Sequence, residues 1–159
     1  HFYFLGFGIV IIIISLAPIN LIPNFYYPPD FLFCFIFSWS VRHYKQSFII
    51  DIVFLSILAD FLFMKPPGLW SFLTLICIGV LRRRFLLRNE LNIKTEIILF
   101  FCGFTSMVVL ANFMYFLTMI PIPDLRLLTT HWLLTLIVYP FFSIFFVVLQ
   151  KIQQRRTAQ

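Results

Sequence analysis

The chain has 159 residues, of which 62% are apolar and only 11% charged, against roughly 25% charged residues in ordinary soluble domains. That balance excludes a soluble globular domain and predicts one all-α integral membrane domain over residues 1–159. The net charge of +6 is explained by basic loops attracted to anionic lipid headgroups, with no need for nucleic acid.

Six apolar segments follow one another, near 2–22, 29–41, 47–64, 68–81, 95–120 and 127–149. The first could be read as the core of a signal peptide. However, Ala17-Pro18-Ile19-Asn20 is bulky and proline-bearing rather than a small-residue cleavage site, so the segment is expected to be a span. A chain opening on His1 rather than Met is expected to lack some N-terminal residues. A full span needs about 20 residues at a rise of about 1.5 Å each, and the second and fourth segments fall short. They are expected as short or tilted helices inside the bundle, because loops exposed to lipid would leave backbone groups unsatisfied. For the fourth, Arg82-Arg83-Arg84 can snorkel while the helix runs on to Leu87.

Between the third and fourth segments, Leu58-Ala59-Asp60 leads into Pro66-Pro67-Gly68. Proline has no backbone donor and restricts its predecessor, so a helix must end here at a tight corner. Asp60 lies about one turn before it, where a carboxylate among Leu, Ile and Phe needs a partner. Lys65, Arg126 or backbone donors are the candidates, and the expected role is structural or partner-facing. Asp51 is nine residues earlier, on the opposite helix face at about 100° per residue, and an interfacial pair with Arg42 or Lys45 is expected for it.

Farther along, Ser38, Ser40, Ser106 and Asn112 are expected to make interhelical polar contacts. His131, beside Thr129 and Thr130, is expected to hydrogen-bond rather than bind metal, and His43 to be solvated. Pro140 should kink the sixth helix, and Trp39 and Trp70 fit aromatic belts at the two faces. Cys34, Cys77 and Cys102 sit in apolar runs and are expected to be small buried hydrophobes. No nucleophile with a base, glycine-rich phosphate loop or carboxylate cluster stands out. No catalytic, cofactor-binding or metal-binding residue is therefore expected.

Charge orients the segments. Arg42, Lys45, Arg82, Arg83, Arg84, Arg88, Lys94, Lys151, Arg155 and Arg156 share one face if there are six crossings, leaving Lys65 and Arg126 on the other. Basic loops stay in the cytoplasm, so both termini are expected there. The opposite loops, with Pro18, Pro23, Pro28, Pro29, Tyr26 and Tyr27 in one and Pro121-Ile122-Pro123-Asp124 in the other, are too short for a soluble domain.

Several pieces together resemble the MreD family of rod-shape-determining bacterial membrane proteins. Pro29-Asp30-Phe31 opens a short helix ending Trp39-Ser40-Val41-Arg42. Leu58-Ala59-Asp60 precedes Pro67-Gly68-Leu69, and Tyr139-Pro140 lies in a last helix with a basic tail. The form Met64-Lys65-Pro66-Pro67-Gly68-Leu69-Trp70 is similar to alphaproteobacterial members. Ser56 is a departure, since many relatives carry glycine four residues before the aspartate.

The resemblance implies a six-transmembrane-helix bundle similar to the substrate-binding S components of energy-coupling-factor vitamin transporters. It also implies a non-enzymatic inner-membrane role beside MreC in sidewall peptidoglycan synthesis. RodA glycosyltransferase and a penicillin-binding transpeptidase would be reached through that complex. Pro29, Asp30, Trp39, Asp60, Pro67, Gly68, Tyr139 and Pro140 are the motif residues it marks as structural or partner-facing. The alternative is a solute-binding transport component, although residues Phe2 to Leu16 lack the Ala-x-x-x-Ala docking surface usual in those proteins. A third reading, an intramembrane enzyme acting on a lipid-linked precursor, would use Asp60 or His131.

Overall fold

A computed structural model describes residues 2–16, 29–42, 49–63, 68–87, 92–119 and 124–157. It is all-helical over these residues, with α1 Phe2–Leu16, α2 Phe31–Arg42, α3 Ile49–Leu62, α4 Leu69–Leu87, α5 Ile93–Leu117 and α6 Leu125–Thr157. The elements are those expected from the apolar runs, with shifted ends. The fourth does continue to Leu87, while α6 runs past Leu149 to Thr157.

Local chemistry sets several ends. Asp30 caps α2, its Oδ1 accepting the Phe33 N–H at 3.1 Å, which satisfies one of the donors that have no partner in the first turn. Gly68, with φ of 89°, takes the left-handed conformation that turns the chain into α4, and its carbonyl accepts the Phe72 N–H at 2.9 Å. Glu96 lies in the first turn of α5, where the helix dipole favours a negative charge.

Contacts between neighbours show that the helices alternate in direction. Phe4, near the start of α1, packs on Trp39 near the end of α2. Asp60 at the end of α3 bonds to Ser71 at the start of α4. Trp70 donates to the Tyr115 hydroxyl near the end of α5. Along α5 and α6, Glu96 meets Ser143 whereas Thr105 meets Trp132. Arg42, Arg82, Arg83 and Lys94 therefore sit towards one end of the bundle and Arg126 towards the other.

The second helix is the hub. Residues 32–38 are buried without interruption, so α2 is enclosed around its whole circumference. One side of it feeds a cluster with Phe33, Phe37, Phe100, Phe104, Met107 and Tyr139, and the other a cluster with Phe4, Ile12, Phe35, Leu55, Ile78 and Phe146. The fourth helix, expected inside as well, instead bares Phe72, Ile76 and Val80, because its 19 residues line the edge of the hub. Exposed apolar side chains also run along α5 (Ile98, Phe101, Val109, Phe113) and α6 (Ile137, Phe141, Ile144, Phe145). Two helical stretches, Ile93–Leu117 and Leu125–Val148, are long and apolar enough to cross a membrane.

Gly8 marks a close approach of α1 to Leu55 of α3. A Cβ there would overlap Leu55 Cδ1 and lie 2.8 Å from Cδ2, and Leu55 is fully buried with little room to move. Gly8→Val is expected to cost about 1–3 kcal/mol through overpacking. Gly6→Ala, with nothing within 4 Å of the added atom, is the control that should leave the melting temperature in detergent unchanged or slightly raised.

Candidate functional site

At the corner, the Asp60 side chain turns back over the start of α4. Its Oδ2 accepts the Gly68 N–H at 3.1 Å, the Ser71 N–H at 3.2 Å and the Ser71 hydroxyl at 2.7 Å. Of the partners expected for Asp60, backbone donors do bond it, joined by the Ser71 hydroxyl; Lys65 lies outside the described residues. A carboxylate at a helix N-terminus satisfies donors that have no partner in the helix and meets the positive end of its dipole. Asp60 is 3% exposed, and this arrangement partly offsets its burial.

Asp30 reaches the same region. Besides capping α2, its backbone N–H donates to Thr135 Oγ1 of α6 at 3.1 Å, and Cys34 Sγ contacts the Thr135 carbonyl at 3.8 Å. Asp30 and Asp60 line one small cavity with Ser56, Thr74, Trp70 and Phe33, with about 30 Å³ open to the centres of water molecules. Ser56, the departure noted in the sequence, is buried there, and its hydroxyl has no hydrogen-bond partner.

Removing the carboxylate should loosen the corner. Asp60→Ala strands three donors and is expected to cost about 1–3 kcal/mol, whereas Asp60→Asn retains one oxygen acceptor and should cost less. Thermal unfolding gives the size, and faster amide exchange at Gly68 and Ser71 localises the loss.

At the opposite end of the bundle lies a second polar cluster. The Arg42 and Glu96 side chains are 7% and 6% exposed, and Arg42 Nη1 is 3.2 Å from Glu96 Oε1. Nη1 also donates to the Ser38 carbonyl at 2.8 Å and the Ser38 hydroxyl at 2.6 Å. Nη2 donates to the Ser143 carbonyl at 2.8 Å and hydroxyl at 3.2 Å. Glu96 Oε1 further accepts the Tyr139 hydroxyl at 2.6 Å and the Ser143 hydroxyl at 3.0 Å. Helix spacing explains the convergence: Ser38 and Arg42, like Tyr139 and Ser143, are four residues apart and share a face. The cluster clamps α2, α5 and α6 at one level.

Sequence reasoning missed this cluster. It expected Arg42 or Lys45 to pair with Asp51, but Arg42, the last residue of α2, pairs with Glu96; Lys45 lies outside the described residues. The available signal was a lone acid, Glu96, opening an apolar helix, together with the serine one turn before Arg42.

Pro29 accepts the Phe31 N–H at 2.9 Å. Trp39, near the end of α2, packs among Phe4, Phe35 and Phe146, and Trp70 is half-buried with its indole N–H on Tyr115. Pro140 sits inside a continuous α6, and Pro67 lies outside the described residues. His131 contacts the Phe104 ring. Asn112 and Ser106 donate within their own helix, to Val108 and Gly103 carbonyls, not between helices, and Cys102 is exposed on α5 rather than buried. Among the described residues, no group of three or more His, Cys, Asp or Glu comes together.

Over the described residues the chain is all-helical, with six helices, two of them of membrane-spanning length and apolarity. No protein-family model, curated protein or solved structure matches it.

Proposed function

We propose that the chain is a non-enzymatic scaffold of the bacterial inner membrane, an MreD-like component of the elongation machinery that supports rod shape and sidewall peptidoglycan synthesis beside an MreC-type protein. The observation that carries this is what the motif residues do. Asp30 and Asp60 fasten the starts of α2 and α4, and Tyr139 ties α6 to Glu96 of α5. Groups of this kind hold a rigid body, and its apolar outer faces suit helix packing against other membrane proteins.

In this reading all six helices cross the bilayer, the basic ends face the cytoplasm and both termini lie there. The RodA glycosyltransferase and its penicillin-binding transpeptidase are reached through the MreC-type partner. The alternating helix directions and the gathering of Arg42, Arg82, Arg83 and Lys94 at one end support that topology. A vitamin-sized solute, the ligand of the transport alternative, is far larger than the cavity at the Asp60 corner.

Co-expression with an MreC-type protein and purification in mild detergent should recover a stoichiometric complex, and depletion should round a rod-shaped host. Separate elution of the two proteins together with unchanged cell shape would refute the proposal.

A further inference from the structure

We infer that the stem of α6 beyond Ser143 is a docking element for an acidic segment of a cytoplasmic protein, carried clear of the membrane on an anchored root. The inference rests on the scaffold reading only in that α6 crosses the bilayer with its basic end in the cytoplasm.

The root is fixed. Arg42 Nη2 donates to the Ser143 carbonyl at 2.8 Å and hydroxyl at 3.2 Å, and the guanidinium lies over the Phe146 ring, 5.8 Å from its centroid. Tyr139 and Ser143 both donate to Glu96. These contacts tie α6 to α2 and α5 where those two helices stop: α2 ends at Arg42 and α5 begins at Ile93, whereas α6 continues to Thr157. Extending a helix that already exists needs no new nucleus, and residues 150–157 contain neither Pro nor Gly to break it.

Height decides between lipid headgroups and a protein as the occupant. Lys94, exposed on α5 half a turn outside Glu96, marks the end of the hydrocarbon on this side, and Glu96 is level with Ser143. At a rise of about 1.5 Å per residue, Arg155 lies about 18 Å beyond Ser143 along the helix and about 15 Å beyond Lys94. A tilt of about 40°, the upper end for membrane helices, still leaves about 11 Å. The headgroup layer on one side is only about 5–8 Å deep. The backbone at Arg155 and Arg156 therefore stands outside that layer, at the height of a soluble partner.

Charge selects the class of partner. Residues 143–157 contain no Asp or Glu, while Lys151, Arg155 and Arg156 are all cationic, and Lys151 and Arg155 are about one turn apart on one helix face. Arg83 and Lys94, exposed at the same end of the bundle, add potential of the same sign. Arginine pairs with carboxylates through two parallel hydrogen bonds, so a helix or tail rich in Asp and Glu is the complement.

The test is fluorescence anisotropy of a dye-labelled decaglutamate peptide titrated with the full chain in phosphatidylcholine nanodiscs. Saturable binding that weakens as salt rises is expected. The triple variant Lys151→Gln, Arg155→Gln, Arg156→Gln should bind about tenfold or more weakly, and Arg83→Gln with Lys94→Gln should lose less than the triple variant does. At about 0.15 M salt, where screening acts over about 8 Å, adding phosphatidylglycerol to the discs should leave peptide binding in place. Absence of saturable binding overturns the inference. So does loss of binding on adding phosphatidylglycerol, which would put lipid headgroups on the stem. A triple variant that binds as the wild type does and only melts lower would assign its cations to the α6 dipole, and would overturn it too. Nanodiscs expose both faces, so these outcomes are independent of co-purification with an MreC-type protein.

Discussion

Glu96→Ala is expected to destabilise the folded chain by about 3–5 kcal/mol, the cost of leaving a buried charge without its partner. Arg42 would keep its bonds to Ser38 and Ser143, but its guanidinium would lose the only carboxylate it meets among the described residues. Tyr139 and Ser143 would lose their acceptor at the same stroke. Removing both charges should hurt less. In Arg42→Met with Glu96→Leu, apolar side chains of similar volume replace the pair, and a well-packed substitute for a buried ion pair is often close to neutral. A double-mutant cycle on thermal unfolding in one detergent measures the coupling, expected to exceed 1 kcal/mol in favour of the pair. Additive single losses would mean that the two residues act independently.

Tyr139→Ala is expected to cost a similar amount, about 3–5 kcal/mol, by a different route. Tyr139 is fully buried, its ring stacked on Phe100 with centroids 3.6 Å apart and planes 5° from parallel. Phe37 meets it edge-on at 5.4 Å. Truncation leaves a cavity at the junction of α2, α5 and α6 and takes a donor from Glu96. Tyr139→Phe separates the two contributions: the ring remains, only the hydroxyl is lost, and the expected cost is about 1–3 kcal/mol. Equal losses in the two variants would show that the hydrogen bond to Glu96, not the packing, dominates at this position.

The sequence made the helices legible because apolar runs broken by Pro, Asn and basic clusters leave few alternatives for a backbone that must satisfy its own hydrogen bonds. Asp60 and Gly68 were legible for a related reason: a carboxylate one turn before a Pro-Pro-Gly break has few outlets, and the start of the next helix is one of them. Glu96 was not. Near the basic residues of the preceding loop it looks like an ordinary interfacial acid, and only the three-dimensional convergence of Ser38, Arg42, Tyr139 and Ser143 shows where it points. Interior and edge were also hard to tell apart for short segments. The second and fourth are both apolar and shorter than a full span in sequence, yet α2 is enclosed on all sides while α4 bares Phe72 and Val80, a difference set by which neighbours wrap which helix.

The arrangement of helices in the bilayer is tested most directly by side-specific cysteine labelling, carried out on intact cells and inverted vesicles after the native cysteines are replaced. Single probes at Leu62→Cys, Lys94→Cys and Arg126→Cys mark the end of α3 and the starts of α5 and α6. Six crossings with a cytoplasmic basic end require Lys94→Cys to react from the cytoplasmic side alone, and Leu62→Cys and Arg126→Cys from the outer side alone. Leu62→Cys reacting from the same side as Lys94→Cys would mean that α4 does not traverse the membrane, and the six-crossing scaffold would be wrong.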